Sequence, residues 1–145
     1  MSDRDKFAVL RRCRRIWAVA AIHGEADRLI ALHDALGPRF QPGDRLVYLG
    51  NYLGRGPAIV ETLDHLLAFR RALIARPGVF AADVVYLRGS QEEMWQKLLQ
   101  LQFAPNPREV LDWMLGQGVG ATLTAYGGQA AQGAACARDG PLALT

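Results

Sequence analysis

Three glycine-containing segments carry most of the polar residues in this chain that are suited to chemistry. The segments span residues 21–25, 50–56 and 88–92, and each follows a short apolar run. Ser90 has no base placed near it by any sequence pattern, so a Ser/His/Asp relay is not predicted. Arg55 precedes Gly56 and a predicted helix start, an arrangement suited to a phosphate or other anion contact, or equally to pairing with a carboxylate.

The elements that would position these segments alternate between strands and helices. Apolar runs rich in β-branched or aromatic residues predict strands over 16–22, 46–49 and 84–87. Apolar side chains at helical spacing predict helices over 25–36, 57–75, 91–101, 108–115 and 121–126. The order β-α-β-α-β-α predicts an α/β fold with a parallel sheet, in which the three segments meet beyond the carboxyl ends of the strands. Trp95 and Trp113 are predicted to be core residues.

Composition is typical of one globular domain. The chain has 145 residues, of which 50% are hydrophobic and 21% charged, and its net charge is +3. Four arginines fall within residues 11–15. They allow a nucleic-acid arm, but without interleaved aromatic residues we interpret them as a solvated basic segment and expect no nucleic-acid partner.

Cysteine usage and hydropathy predict a cytoplasmic protein. Cys13 and Cys136 match no metal-binding or redox spacing, so we expect a reducing compartment. The basic residues 11–15 followed by the apolar run 16–22 also resemble a minimal signal peptide, but seven apolar residues are few for one, and we interpret the run as a buried strand. No segment approaches the ~20 apolar residues that span a bilayer, so no membrane association is expected.

Three motifs, in the expected order and spacing, resemble the active-site loops of calcineurin-like metallophosphoesterases. The closest likeness is to the bacterial branch with serine/threonine protein phosphatases and diadenosine tetraphosphate hydrolases. The motifs are Ile22-His23-Gly24-Glu25, Gly43-Asp44-Arg45-Leu46-Val47-Tyr48-Leu49-Gly50 and Tyr86-Leu87-Arg88-Gly89 with Glu92-Glu93-Met94. Residues 110–114 and 121–127 are similar to a later stretch of that branch.

The resemblance implies a fold and a division of the chain. The metallophosphoesterase-like domain would span residues 14–128 and form the parallel-sheet βαβαβα first half of an α/β/β/α sandwich, followed by short helices. A basic segment, 1–13, would precede it, and a loose Gly/Ala-rich tail, 129–145, would follow. The family's two later histidine motifs would fall after Thr145. One sheet face would then lack its second sheet and expose apolar side chains.

The resemblance also implies an active site of two adjacent divalent metals, Mn, Fe or Zn, held by side chains from several loops. Most of those ligands are replaced here. The first-loop Asp is Ala21, the second Asp of the second loop is Gly54, and the proton-donating His of the third is Gln91. We therefore expect no catalytic residue at these positions. The vestigial metal positions are His23, Asn51 (for the bridging Asp) and Ser90 (for Asn), so neither a metal nor another cofactor is expected.

These substitutions predict a catalytically inactive metallophosphoesterase-like protein that acts by protein binding or assembly. Its partner would be another protein, or further copies of the chain, covering the exposed sheet face. The alternative is a weak metal-dependent phosphoesterase acting on phosphoprotein or nucleotide esters, with one metal at His23 and Asn51 or with residues from a partner chain. A third possibility is a remnant, an altered reading frame or a sequence stripped of its ligands, with no selected function.

Overall fold

A computed structural model describes residues 10, 12–129, 131–132 and 134–135 of the chain. Three strands form one parallel sheet in the order β1-β2-β3, with bounds β1 (Ile16–Val19), β2 (Arg45–Tyr48) and β3 (Val84–Tyr86). The predicted α/β class with a parallel sheet is therefore confirmed. Most of the predicted basic segment and of the predicted tail, with Cys136, lies outside the described residues.

The helices lie where the sequence predicts them, with small shifts of their ends. They are α1 (Ala26–Leu36), α2 (Ile59–Ile74), α3 (Ser90–Leu98), α4 (Pro107–Met114) and α5 (Gly120–Ala125). A π-helical turn, Leu115–Val119, joins α4 to α5, and 3₁₀ turns occur at Gly37–Arg39, Ala81–Asp83 and Leu101–Phe103. Among the described residues, no helix combines the length and apolar character needed to cross a bilayer.

The first predicted strand is shorter than expected because its end belongs to a loop. β1 stops at Val19, although apolar residues continue to Ile22. The backbone N–H of Ile22 donates to the carbonyl oxygen of Asn51 at 3.1 Å, beyond the end of β2. The apolar run therefore supplies both a strand and the first turn of the loop that follows it.

The two faces of the sheet differ in their surroundings. Side chains on one face pack with α1 and α2 in the main core, which includes Val19, Leu46, Tyr48, Val84, Leu29, Leu36, Leu66 and Leu73. We call the other the second face; by strand alternation it carries Ile16, Ala18, Val47 and Val85. On it, Ile16 is 54% exposed while Val47 is only 6% exposed. The exposed apolar surface of this face is therefore concentrated on β1.

A second, smaller core joins the later helices. Met94 and Leu98 of α3 pack with Leu111 and Met114 of α4, and with Val119 and Leu123. The prediction for Trp95 is confirmed in that its side chain packs against this cluster. The prediction for Trp113 is wrong, since its side chain is 57% exposed. Leu111 and Met114 occupy the buried stripe of α4, and Trp113 falls on another side of the helix.

A buried histidine links α1 to the sheet and to α2. His33 is 2% exposed, and the hydroxyl of Tyr48 lies 2.7 Å from its Nε2. The imidazole stacks on Phe69 at a centroid distance of 3.7 Å and on His65 at 4.9 Å. Burial, followed by repulsion from His65, lowers the pKa of His33 to about 4. Burial likewise raises the pKa of Tyr48, so this hydrogen bond joins a neutral phenol and a neutral imidazole.

We predict that His33 makes the fold sensitive to mild acid. Its pKa is about 4 in the folded protein and 6.5 in the unfolded chain, so between these values the unfolded chain binds the proton first. The free energy of unfolding should therefore fall by roughly 2–3 kcal/mol as the pH drops from 7 to 4. His33→Gln, which keeps an acceptor near Tyr48, should lose this component in urea titrations at several pH values. Equal pH dependence in the two proteins would contradict the prediction, because their carboxylates titrate alike.

Candidate functional site

The three predicted segments meet at the carboxyl edge of the sheet. We call them loop 1 (residues 20–25), loop 2 (49–58) and loop 3 (87–89), following β1, β2 and β3 respectively. The N–H of His23 donates to the carbonyl of Asn51 at 2.9 Å, and the N–H of Gly24 donates to the carbonyl of Tyr52 at 3.0 Å. The loops are therefore joined by backbone hydrogen bonds that do not depend on the identity of any side chain.

Glycines permit the closest approach of these loops. A Cβ at Gly50, whose φ is +96°, would lie 2.1 Å from the backbone nitrogen of Gly89. No side chain fits that gap, and a positive φ of this size is strained for any other residue. Loops 2 and 3 thus touch backbone to backbone.

The side chain of Asn51 serves as a cap for α3. Its Oδ1 accepts hydrogen bonds from the backbone N–H of Gln91 at 3.0 Å and from the hydroxyl of Ser90 at 3.1 Å. The first turn of a helix has N–H groups without helical partners, and a side-chain oxygen that accepts from them stabilises the helix. Asn51 and Ser90 are therefore brought together as predicted, and both are committed to the start of α3.

The carboxylate of Glu92 occupies a nest of backbone amides. One oxygen, Oε2, accepts from the N–H groups of Asn51 and Gly89, each at 2.8 Å. The other, Oε1, accepts from Tyr52 at 2.8 Å and from Leu53 at 3.2 Å. Converging amides of this kind form an anion site, and here the chain supplies the anion itself.

Gly54 and Gln91 are complementary in shape. The Gln91 side chain is 6% exposed and fills the space beside Gly54, where a Cβ would lie 2.1 Å from its Oε1 atom. Its Nε2 donates to the carbonyl of Gln117 at 2.8 Å, which ties loop 2 and α3 to the turn after α4. The N–H of Gly54 donates to Thr122 Oγ1 at 2.9 Å. The later helices thus cover loop 2 at Gly54.

His23 and Arg55 are the remaining polar groups of the predicted site. His23, half-buried at φ +51°, has its Nδ1 3.2 Å from the carbonyl oxygen of Leu53. A carbonyl accepts, so Nδ1 carries the hydrogen and the other nitrogen, Nε2, keeps its lone pair. The Arg55 side chain is exposed and forms no hydrogen bond or ion pair within the described part of the chain. Its predicted pairing with a carboxylate is therefore not seen there, whereas the anion contact stays a prediction.

The residues present do not fit a pair of divalent metals. The side-chain oxygen of Asn51 already accepts two hydrogen bonds and both oxygens of Glu92 accept two each, while Ala21 has only a methyl group. Across residues 10, 12–129, 131–132 and 134–135, no group of three or more His, Cys, Asp or Glu side chains is placed to hold a metal ion. What the site offers is one imidazole nitrogen and one free guanidinium.

Three sets of contacts at the site were missed by sequence reasoning. The N–H of Gly89 donates to the carboxylate of Glu92 in a capping box. In this pattern an acidic residue at the third helical position accepts from the N–H of the residue before the helix, and the sequence shows the required spacing. The bonds from Glu92 to loop 2 and from Gly54 to Thr122 join residues 39 to 68 positions apart, for which the sequence carries no local signal.

Comparison with known proteins does not assign the chain to a family. No protein-family model matches its sequence, and neither a curated protein nor a solved structure matches it.

Proposed function

We propose that the chain is a metallophosphoesterase-like protein without phosphoesterase activity, which acts by protein binding or assembly. The observation that carries this proposal is the commitment of the Asn51 side chain, whose oxygen caps α3 instead of facing an open cavity. In the resembled family the same position holds the carboxylate that bridges two metals. Here the side chains of Asn51, Ser90 and Glu92 stabilise the fold, and the imidazole of His23 and the guanidinium of Arg55 do not make up the ligand set of a binuclear metal centre.

Electrostatics support the absence of a binuclear centre. Two unit charges about 4 Å apart repel by about 4 kcal/mol at an effective dielectric constant of about 20, so two divalent ions at that distance repel by about 16 kcal/mol. Carboxylate ligands offset such repulsion in binuclear sites. The carboxylate of Glu92 is available only if four backbone N–H groups lose their acceptor, and each such loss in a buried place costs about 1–3 kcal/mol.

The binding half of the proposal is supported by exposed apolar side chains near the carboxyl edge and on β1. Ile16, the first residue of β1, is 54% exposed, and Leu49, which directly follows β2, is 49% exposed. Both residues belong to apolar runs of the sequence. Side chains of this kind, grouped on one part of a surface, are typical of protein interaction sites.

Metal content and turnover test the proposal directly. We expect the purified chain to contain no stoichiometric Mn, Fe or Zn, and to release no phosphate from an aryl phosphate ester after incubation with Mn²⁺. The comparison variant restores the family's residues at five positions: Ala21→Asp, Asn51→Asp, Gly54→Asp, Ser90→Asn and Gln91→His. It should bind Mn²⁺ more tightly than the natural chain in calorimetric titrations, because it regains three carboxylates and an imidazole.

The alternative, a weak phosphoesterase with one metal at His23 and Asn51 or with residues from a partner chain, makes the opposite prediction. It is favoured by the free Nε2 of His23, which the hydrogen bond at Nδ1 leaves available. Stoichiometric metal together with turnover in the natural chain, both lost in His23→Ala, would overturn our proposal in its favour. Metal-independent turnover would contradict both.

A further inference from the structure

β1 is an edge strand with an unpaired side. The strand order leaves it with one neighbour, and no other strand of the described residues pairs with it. The N–H groups of Arg45 and Leu49 donate to the carbonyls of Arg15 and Val19. The backbone N–H and C=O groups of the odd-numbered residues in 15–19 therefore point toward β2. In a parallel ladder the residues between them face away, and the backbone N–H and C=O groups of Ile16 and Ala18 therefore point outward.

This edge lacks the features that normally prevent strands from pairing. Residues 16–22 include no charged residue and no proline, and both Ala18 and Ala20 are exposed beside Ile16. The opposite edge, β3, is shorter, and its outward-facing residues Val84 and Tyr86 are buried or half-buried. Charged side chains, prolines or short lengths commonly protect sheet edges, so within the described part of the chain β1 is the edge open to a further strand.

The helix layer offers apolar surface on the same side of the molecule. A groove of about 230 Å³ lies where β1 meets α1, and it is lined mainly by apolar residues such as Ala20, Ile22, Leu29 and Leu32, together with the charged Glu25 and Arg28. Leu32 is 41% exposed. A single peptide strand would cover only β1, whereas a second copy of the chain presents both a strand and a helix to this side. Because a second copy carries the same strand and the same helix, it can cover both β1 and the exposed side of α1.

Charge indicates the orientation of such a pair. Arg12 and Arg14 are exposed just before β1, while Glu25, Asp27 and Arg28 lie beyond its carboxyl end. Glu25 pairs with Arg28 at 3.8 Å, and these three side chains together carry a net charge of −1, so this end is acidic relative to the other. Antiparallel pairing brings the basic end of one strand beside the acidic end of the other, but parallel pairing would bring arginine beside arginine. Opposite charges across an interface fix its register and suppress the alternative.

We infer that two copies pair antiparallel through β1 around a two-fold axis, which forms one continuous sheet and places the two α1 helices side by side. The inference rests on the proposed function in one respect, that the chain acts by binding, and it names the partner as a second copy. It does not require the loss of catalysis.

The oligomeric state of the full chain tests this inference. Sedimentation equilibrium should give the mass of a dimer at about 100 μM, a concentration at which even a micromolar complex is saturated. Ile16→Lys places a charge on the edge, and it should weaken the dimer by roughly 100-fold or more. Ala18→Pro removes an outward N–H that β2 does not use, and should act in the same direction. Phe80→Lys, at a side chain 69% exposed near the other edge, is the matched control and should leave the dimer intact.

Several results would overturn the inference. One is a protein that stays monomeric at every concentration. Another is a dimer that neither Ile16→Lys nor Ala18→Pro weakens. A third is a dimer that Val85→Lys, on the second face, dissociates and that Ile16→Lys does not. Circular dichroism of each variant confirms that it is folded, and Ala18→Pro provides the second test if Ile16→Lys fails to fold. A dimer with metal-dependent turnover would contradict the proposed function but not this inference. An inactive monomer would contradict this inference but not the proposed lack of phosphoesterase activity.

Discussion

Replacing Glu92 by alanine should lower the free energy of unfolding by about 3–5 kcal/mol, the largest effect we expect from one side chain near the loops. Four backbone N–H groups, from loops 2 and 3, donate to this carboxylate at 2.8 to 3.2 Å. Hydrogen bonds to a charged acceptor contribute about 1.5–3 kcal/mol each, and partial access of water to the loops reduces their sum. Urea denaturation monitored by circular dichroism measures the change.

Glu93→Ala is the matched control for that measurement. Glu93 has the same chemistry and lies in the same first turn of α3, but its side chain is 49% exposed, and its one ion pair among the described residues is with Arg88 at 3.5 Å. Exposed pairs of this kind contribute about 0–1 kcal/mol. If Glu92→Ala is no more destabilising than Glu93→Ala, the amide nest does not hold the loops together, and the structural role assigned to Glu92 is wrong.

Asp44→Ala should also cost about 3–4 kcal/mol of folding free energy, at the opposite end of the sheet. The carboxylate is fully buried and accepts hydrogen bonds from Arg15 at 2.9 Å, from the Trp17 indole at 3.0 Å and from the N–H of Gln41 at 3.1 Å. Burial raises the pKa of Asp44, but these hydrogen bonds and the arginine charge outweigh it and hold the pKa below its ordinary value. Removing one partner of a buried pair strands the others.

The contribution of Asp44 to the free energy of unfolding should also depend on pH. Because the pKa of its carboxyl is lowered on folding, its contribution is complete above the unfolded value of 3.8 and declines as the pH falls through the lower, folded value. The difference in free energy of unfolding between the natural chain and Asp44→Ala should therefore shrink below pH 3.8. Asp34→Ala, at an exposed position of α1, is the control and should change stability by less than about 0.5 kcal/mol. Equal effects of the two substitutions would contradict the role assigned to Asp44.

The two predictions concern the two ends of one sheet, and together they describe how the fold is held. At the amino end, Asp44 joins the segment before β1 to the segment before β2. At the carboxyl end, Glu92 joins loop 2 to loop 3. If both hold, contacts within the chain keep the three loops and the start of the sheet in place.

The sequence by itself determined the order and type of the elements. Apolar runs bounded by glycine predicted three strands, and helical spacing of leucines predicted helices close to their observed bounds, because burial of apolar side chains is periodic along the chain. The sequence also determined that the polar residues His23, Asn51 and Ser90 lie beyond the carboxyl ends of the strands, since all strands of a parallel sheet point the same way.

Only the tertiary structure decided what those polar residues do. Whether the oxygen of Asn51 faces a cavity or caps α3 depends on the position of residues 39 and 40 places away, and Gln91 is accommodated because Gly54 leaves its space empty. The exposure of Trp113, the burial of His33 and the open edge at β1 likewise depend on which neighbours pack nearby. Such contacts join distant residues, and their geometry is fixed only when the whole chain has folded. The three loops therefore had a position that the sequence predicts and a role that only the packing around Asn51 and Glu92 defines.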